Sequence, residues 1–437
     1  MQANRVMYDG LYTFVLRILN VACAAGLGIL TARLLGPAGK GIYALPSVEA
    51  GLVVSAFSGL GSALSYFMLN RRTGAGLWKP ALATAAFFML AGAIAIVPIA
   101  LLAGQPWAAV PAMISLPAAA AINMVSGYAV GIKQVRYATT INVGVTLVTF
   151  AFMALGLLLV ARDARVAIAV WLAASTLVGA VALTVMLLDM RKRSGDETVS
   201  VPEFAKFSAK VGLVNLVSLL NYRADLYIVA MLTNAASLGM YTVAVSAAES
   251  LLVPTQVAAL VTSPHIGSLD RPAAARLTAR CVRNNMLIAL IVCGALFAFA
   301  SPVVHLLYGA AFAPVVRVLQ VLLLGVFALS LGSPMSSYFT LKLGRPEVPL
   351  WLAGASAAVC IGVSLALVPS LGMMGAAIGS TAAYAAGQAA ATWYFSKTAG
   401  ITMGQILIPT GDDVALYKGF AGRVLADGRR LLHRTAH

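Results

Sequence analysis

The sequence consists largely of apolar stretches, each long enough to cross a lipid bilayer. A hydrocarbon core of about 30 Å requires roughly 20 helical residues. The stretches show no period-two alternation, so helices are the expected spanning elements. The predicted spans lie near residues 11–35, 41–70, 79–103, 107–131, 138–161, 165–190, 206–233, 237–266, 284–308, 312–340, 346–370 and 372–397. We therefore predict an all-α membrane protein with about 12 transmembrane helices.

Composition and charge placement support this interpretation. Hydrophobic residues make up 61% of the 437 positions and charged residues 10%, which is too little polar surface for a water-soluble chain of this size. The net charge of +16 could indicate a nucleic-acid partner. However, 23 of the 30 Lys and Arg residues fall in the N-terminal region, alternate connections and the C-terminal tail. By the positive-inside rule this predicts cytoplasmic termini and an even number of spans, and we expect no nucleic-acid partner.

A charged connection divides the predicted spans into two sets of six. It begins at Arg191 with the residues Arg-Lys-Arg-Ser-Gly-Asp-Glu-Thr. We predict an N-lobe at 1–190, a cytoplasmic linker at 191–205, a C-lobe at 206–400 and a basic cytoplasmic tail at 401–437. The tail pattern fits either an amphipathic helix on the anionic inner leaflet or a weakly ordered segment.

An internal repeat relates the two predicted lobes. In each copy an apolar run ends, a short Gly-containing bend follows, and a second apolar run carries a Glu. The offset is 198 residues, and it becomes 200 after two inserted residues. The matched pairs are Ala32 and Ala230, Leu34 and Leu232, Ala38 and Ala236, Gly41 and Gly239, Tyr43 and Tyr241, Ala44 and Ala244, Glu49 and Glu249, Leu52 and Leu252, and Val53 and Val253. A repeat in one direction predicts a two-lobed construction, which many transporters share.

Five segments in order along the chain resemble a known family. They lie at residues 32–45, 59–67, 223–232, 344–350 and 368–381. Over about residues 5–400 the chain resembles the polysaccharide-biosynthesis flippases, which move lipid-linked oligosaccharides and belong to the multidrug/oligosaccharidyl-lipid/polysaccharide (MOP) exporter superfamily. The resemblance implies a V-shaped, MATE-like bundle of two six-helix lobes around a central cavity that works by alternating access.

The resemblance also implies a substrate, a location and partners. The expected substrate is an undecaprenyl-diphosphate-linked oligosaccharide repeat unit, moved from the cytoplasmic to the periplasmic leaflet of a bacterial inner membrane for O-antigen (lipopolysaccharide), capsule or exopolysaccharide synthesis. The expected partners are membrane lipids and a polymerase and chain-length regulator of an assembly complex, and the expected oligomeric state is a monomer. Members near the lipid II branch commonly carry two further spans, and their lack here weighs against a peptidoglycan-precursor role.

Basic and amide side chains within the spans are the candidate substrate-binding residues, because polar groups in a membrane are costly and tend to be functional. They are Arg17, Asn20, Arg33 and Arg223. Asn20 lies one helical turn from Arg17 on the same face. The guanidinium fork suits bidentate hydrogen bonds to a diphosphate, and Arg17 is the leading candidate. The alternatives are internal ion pairs, such as Arg33 with Glu49, and snorkelling of Arg33 to the outer headgroups.

Three carboxylates within the spans are candidates for gating or for coupling to H⁺ or Na⁺. They are Glu49 in span two, Asp225 in span seven and Glu249 in span eight. An ion pair between Arg223 and Asp225 is geometrically unnatural, because residues two apart face different directions on a helix. Pairing of either residue with a neighbouring span is the open alternative.

The motifs of several enzyme classes are missing from the sequence. There is no Walker motif, zinc signature or Gly-x-Ser-x-Gly motif, so we expect no catalytic residues, no metal and no cofactor beyond a coupling ion. The protein is predicted to be a secondary transporter and not an enzyme. The competing interpretations are a multidrug/cation antiporter of the same fold, a membrane polysaccharide polymerase or ligase, and a non-transporting scaffold.

Overall fold

The protein is an all-helical membrane protein. A computed structural model describes residues 2–71, 75–102, 104–132, 134–192 and 199–408, and these residues contain no β-strand. The main helices are α1 (Gln2–Arg71), α2 (Trp78–Leu102), α3 (Ala109–Gly131), α4 (Val135–Leu155), α5 (Ala164–Arg191), α6 (Val201–Leu232), α7 (Ala235–Ser250), α8 (Val253–Ser268), α9 (Arg271–Ala298), α10 (Ala300–Tyr308), α11 (Val315–Leu329), α12 (Gly332–Ser337), α13 (Glu347–Leu371), α14 (Met373–Ala399) and α15 (Met403–Leu407). Single-turn π-helical segments extend α4 to Val160 and α12 to Lys342.

Eight of the described segments are long and apolar enough to cross a membrane. They are Ile18–Asn70, Trp78–Leu102, Pro106–Gly131, Thr139–Val160, Ala164–Arg191, Arg271–Ala298, Val315–Lys342 and Glu347–Leu371. The first has 53 residues, or about 80 Å of helix, which is more than two bilayer cores in length. The chain is therefore a multi-pass membrane protein, and the count of about 12 spans stays a prediction.

The lipid-facing surface is visible on α2. Phe87, Leu90, Ile94 and Leu101 lie on one face of this helix and are each more than 60% exposed. A continuous stripe of large exposed apolar side chains indicates a surface that contacts either another protein or a membrane. In a chain of this composition the covering medium is lipid.

Two breaks in the helices stand out, one within predicted span eight and one between predicted spans one and two. In the segment predicted as span eight, α7 ends at Ser250 and α8 begins at Val253, with Pro254 in its first turn. Proline at this position lacks an N–H that would be unsatisfied in any case, so the break is compatible with a helix start. Within α1, Gly36 has φ 66° and ψ −179°, and this left-handed residue separates the segments predicted as spans one and two.

The chain forms two compact units. One comprises Met1–Ser250, Phe299–Leu322 and Ala353–Ala383, and the other Leu251–Ala298, Leu323–Leu352 and Tyr384–His437. The predicted lobes at 1–190 and 206–400 stay a prediction. Helix α5 ends at Arg191 and α6 begins at Val201, but residues 193–198 of the predicted linker and 409–437 of the predicted tail lie outside the described residues.

Small residues bring helices close together in the first unit. A Cβ on Gly61 of α1 would lie 2.3 Å from the carbonyl oxygen of Asn123 on α3, and a Cβ on Gly127 of α3 would lie 2.0 Å from the carbonyl oxygen of Gly61. Neither glycine leaves space for a side chain. Helix backbones approach in this way in membranes because packing, and not a hydrophobic force, drives their association.

The two copies of the repeat pack directly on each other. A Cβ on Gly41 would lie 1.7 Å from the carbonyl oxygen of Ala235, and a Cβ on Gly239 would lie 2.1 Å from that of Pro37. Gly41 corresponds to Gly239, and Pro37 to Ala235, at the offset of 198 residues. The contact is thus reciprocal, as at an interface around a two-fold axis. We call it the repeat seam.

Candidate functional site

The ionisable residues of α6 and α7 form the first part of the candidate site. Arg223 on α6 donates from Nη2 to Oε2 of Glu249 on α7 at 2.7 Å. The two side chains are 34% and 21% exposed. Arg223 therefore pairs with a neighbouring helix, which was one of the alternatives left open, and not with Asp225.

Asp225 is held in a buried hydrogen-bond network. It is 2% exposed, and its Oδ2 accepts from the hydroxyls of Tyr241 at 2.5 Å and Ser380 at 2.6 Å. Its Oδ1 accepts from the backbone N–H of Leu226 at 2.7 Å. The carboxylate joins α6, α7 and α14, and three donors compensate its removal from water.

Glu49 differs sharply from Asp225. It is 2% exposed, and neither carboxylate oxygen has a hydrogen-bond partner among the described residues. The predicted alternative pair with Arg33 does not form. Such a buried group is costly unless a proton, a cation or a polar ligand joins it.

Arg33 is bound to the end of a helix. Its Nε donates to the carbonyl oxygen of Leu307 at 2.8 Å, and its Nη2 donates to that of Leu306. Both carbonyls belong to the last turn of α10, whose carbonyl groups lack partners within the helix. A cation at a helix C-terminus also interacts favourably with the helix dipole.

Asn20 lines a cavity of about 520 Å³ together with one face of α4. The polar members from α4 are Thr139, Asn142 and Thr146, which recur at intervals of three and four residues. The Asn20 Oδ1 atom is buried and has no partner among the described residues. Arg17 lies one turn earlier on α1, and its side chain lies outside the described part of the structure.

The structure thus places the seven predicted site residues in four settings. Asn20 lies in a polar cavity beside the helical position of Arg17. Arg223, Asp225 and Glu249 form contacts on α6 and α7, while Arg33 and Glu49 lie apart from each other.

Sequence analysis missed five participating side chains. The α4 stripe was detectable, because Thr139, Asn142 and Thr146 recur at helical spacing within an apolar span. Tyr241 was part of the repeat but had no assigned role. Ser380 gave no signal among the small residues of α14, and only packing brings it to Asp225.

Lys40 is a further unassigned group. It is 9% exposed and donates from Nζ to Oγ1 of Thr31 at 2.6 Å. Its Nζ also lies 5.4 Å from the centre of the Tyr43 ring, within cation–π range. These contacts hold the Lys40 ammonium group inside the protein.

Comparison with known proteins identifies both a family and a fold. The model of a family described as "Polysaccharide biosynthesis protein" matches residues 30–317. No curated protein sequence matches the chain.

Solved structures of transporters share the fold. The structure of lipid II flippase MurJ in an inward closed conformation matches with a TM-score of 0.71 and 15% identity over 92% of this chain and 89% of that chain. A multidrug resistance MATE family transporter of the MOP superfamily matches in its inward-facing conformation with a TM-score of 0.69 and 15% identity, over 87% and 94%. An outward-facing conformation of a multidrug resistance MATE family transporter of the MOP superfamily matches with a TM-score of 0.61 and 15% identity, over 89% of this chain and 94% of that chain. The predicted MATE/MOP-like, all-α fold class is confirmed.

Proposed function

This chain belongs to the polysaccharide biosynthesis family, and from that membership we propose that it is a flippase for lipid-linked oligosaccharides. The substrate in this proposal is an undecaprenyl-diphosphate-linked repeat unit that moves from the cytoplasmic to the periplasmic leaflet by alternating access. The product would supply O-antigen, capsule or exopolysaccharide synthesis. The matched fold, which flippases and transporters share, supports this proposal.

The single observation that carries the proposal is the polar cavity within the apolar helices. Asn20, Thr139, Asn142 and Thr146 provide amide and hydroxyl groups around about 520 Å³. Sugar hydroxyls donate and accept hydrogen bonds, so they match these side chains chemically. A volume of this size lies within the range of small-molecule sites, about 300–1,000 Å³.

Arg17 is proposed to bind the diphosphate next to this cavity. Its backbone lies one turn from Asn20, and an arginine in a membrane-spanning helix requires an anionic or polar partner. Arg223 and Arg33 are proposed as secondary phosphate ligands. For each, phosphate must first replace an existing partner, which is Glu249 for Arg223 and the α10 carbonyls for Arg33.

The three carboxylates are proposed to act in gating or ion coupling. Glu49 is the strongest candidate for H⁺ or Na⁺, because both of its oxygens lack partners among the described residues. Glu249 would change partners whenever Arg223 binds phosphate. Asp225 has three donors and is proposed to anchor α6 and α7 during that exchange.

Location and partners follow from the same proposal. We place the protein in the bacterial inner membrane with cytoplasmic termini, as a monomer that contacts membrane lipids and the polymerase and chain-length regulator of an assembly complex. It acts as a secondary transporter without a catalytic residue, resident metal or nucleic-acid partner.

A leaflet-accessibility assay tests the function. Purified protein is reconstituted into proteoliposomes that contain a fluorescent undecaprenyl-diphosphate oligosaccharide, and a membrane-impermeant reagent measures the outer-leaflet fraction over time. We expect the protein to accelerate equilibration between leaflets relative to protein-free vesicles. Equal rates in both preparations would refute the flippase proposal.

A multidrug/cation antiporter is the second candidate, and the unpartnered carboxylate of Glu49 favours it. A cationic drug would neutralise that group directly. The same vesicles distinguish the two functions: an antiporter moves an organic cation against a proton or sodium gradient and leaves the lipid-linked sugar in place.

A further inference from the structure

A second cavity lies where four helix connections converge in the first unit. Its volume is about 450 Å³. The connections contribute Gly41 and Ile42, then Gln105 and Trp107, then Arg165, and finally Thr233, Asn234 and Ala235. All four are the connections that the distribution of basic residues predicts to lie on the outer face.

The polar groups of this cavity are mainly hydrogen-bond donors. Its described lining contains Arg165 but no Asp or Glu. The Arg165 guanidinium has no hydrogen bond or ion pair with any described residue, and the amide N–H₂ groups of Gln105 and Asn234 have no described partner either. A lining with one cation and two amide groups favours an acidic ligand rich in acceptor oxygens.

Trp107 adds a flat apolar surface to these donors. The residue is 41% exposed, and its Nε1 donates to Oε1 of Gln105 at 2.7 Å. This bond fixes the ring and leaves the Gln105 N–H₂ group available. Sugar rings present C–H faces that pack on indoles, and their hydroxyls and carboxylates occupy the ring edge, where amide and guanidinium donors can reach them.

We propose that this cavity is an exit-side binding site for an acidic sugar, a uronic-acid residue of the translocated glycan. The proposal rests on the flippase function and on the outer location of the four connections. The indole packs against the sugar ring, Arg165 binds the carboxylate, and the two amides bind hydroxyls. The site is separate from the Asn20 cavity, with which it shares no lining residue.

Ligand-observed NMR tests the site on the full chain in phosphatidylcholine nanodiscs, with glucuronate as the probe. We expect saturable glucuronate binding that weakens at least tenfold in Arg165→Gln and is lost in Trp107→Ala. Glucose should bind more weakly than glucuronate and lose no further affinity in Arg165→Gln. Arg162→Gln is the matched control, because Arg162 is exposed in the same connection but does not line the cavity.

Three outcomes would overturn the proposal: no glucuronate binding, glucuronate binding that Arg165→Gln leaves unchanged, or binding of glycerol 3-phosphate in place of sugar acids. The last result would identify a lipid-headgroup site. If Arg165→Gln does not fold, Arg165→Lys keeps the charge without the fork and is expected to weaken binding about threefold.

The leaflet assay separates this proposal from the flippase proposal. Normal flipping without glucuronate binding would overturn only the exit-side site. Glucuronate binding without flipping would overturn the flippase proposal and with it the exit-side role, and would leave a site that binds acidic sugars.

Discussion

Gly41 and Gly239 occupy equivalent positions in the two repeats and lie against each other's bends. A Cβ on Gly239 would lie 2.7 Å from the backbone nitrogen of Gly41, and one on Gly41 would lie 1.7 Å from the carbonyl oxygen of Ala235. At each position the atoms that a Cβ would meet belong to the backbone, and they cannot move away as a flexible side chain could. The duplication visible in the sequence is therefore also a contact in the fold.

Alanine at either seam glycine is expected to destabilise the protein. Because the new methyl group meets rigid backbone, Gly41→Ala and Gly239→Ala should each cost about 1–3 kcal/mol and lower the thermal unfolding midpoint in detergent. Gly28→Ala is the matched control in α1, since a Cβ there meets nothing within 4 Å. Helical alanine should raise stability there by about 0.5–1 kcal/mol. Equal unfolding midpoints for Gly41→Ala and Gly28→Ala would contradict the close backbone contact at the repeat seam.

Loss of Arg17 is expected to abolish polysaccharide export while the protein still inserts normally. If the guanidinium fork binds the diphosphate, Arg17→Ala should lower export at least tenfold, and Arg17→Lys should recover only part of it. Export is measured as surface polysaccharide, and insertion by membrane fractionation. Arg162→Ala in an exposed connection provides the control. Full export by Arg17→Ala would remove Arg17 from the binding site.

The Arg223–Glu249 pair is expected to couple energetically. A double-mutant cycle with Arg223→Gln and Glu249→Gln should give a coupling free energy of about 1 kcal/mol, because both groups are partly exposed. The cycle is measured from thermal unfolding midpoints and from flipping rates. The exchanged pair, Arg223→Glu with Glu249→Arg, should recover stability relative to either single charge reversal. Strictly additive effects of the two substitutions would show that the 2.7 Å contact between Arg223 and Glu249 contributes no interaction free energy.

The network around Asp225 is expected to contribute more to stability than to transport selectivity. Tyr241→Phe and Ser380→Ala each leave the buried carboxylate with one donor fewer, which should cost about 1.5–3 kcal/mol. Ser370→Ala is the control, because the Ser370 hydroxyl is exposed and bonds only to its own helix. Unchanged midpoints for both network variants would contradict the hydrogen bonds described here.

Glu49→Gln is expected to separate stability from transport. Removing an unpartnered buried carboxyl group should leave the unfolding midpoint unchanged or raise it, because no ion pair is broken. If Glu49 couples transport to H⁺ or Na⁺, the flipping rate in vesicles should no longer respond to a pH or sodium gradient. A variant that responds to the gradient as the wild type does would exclude Glu49 from coupling.

The fold class could be predicted from the sequence because its signals are local. The length and hydrophobicity of each apolar stretch are enough to predict a membrane span, and the repeat is found by comparing residue types at a fixed offset. The helix bounds accordingly follow the predicted stretches closely at α2, α5 and α13. The Pro254 region is an instructive exception, because an apolar stretch alone does not reveal the break between α7 and α8.

Partners within the membrane were decided by the tertiary structure. The sequence identified Glu49, Arg223, Asp225 and Glu249 as residues that need an explanation, since isolated polar groups are costly in lipid. It could not assign Glu249 to Arg223 or Ser380 to Asp225, because those contacts join helices whose rotation and depth depend on packing. The preference of an apolar stretch for lipid depends on that stretch alone, whereas pairing across 155 residues, as between Asp225 and Ser380, exists only once the helices have packed.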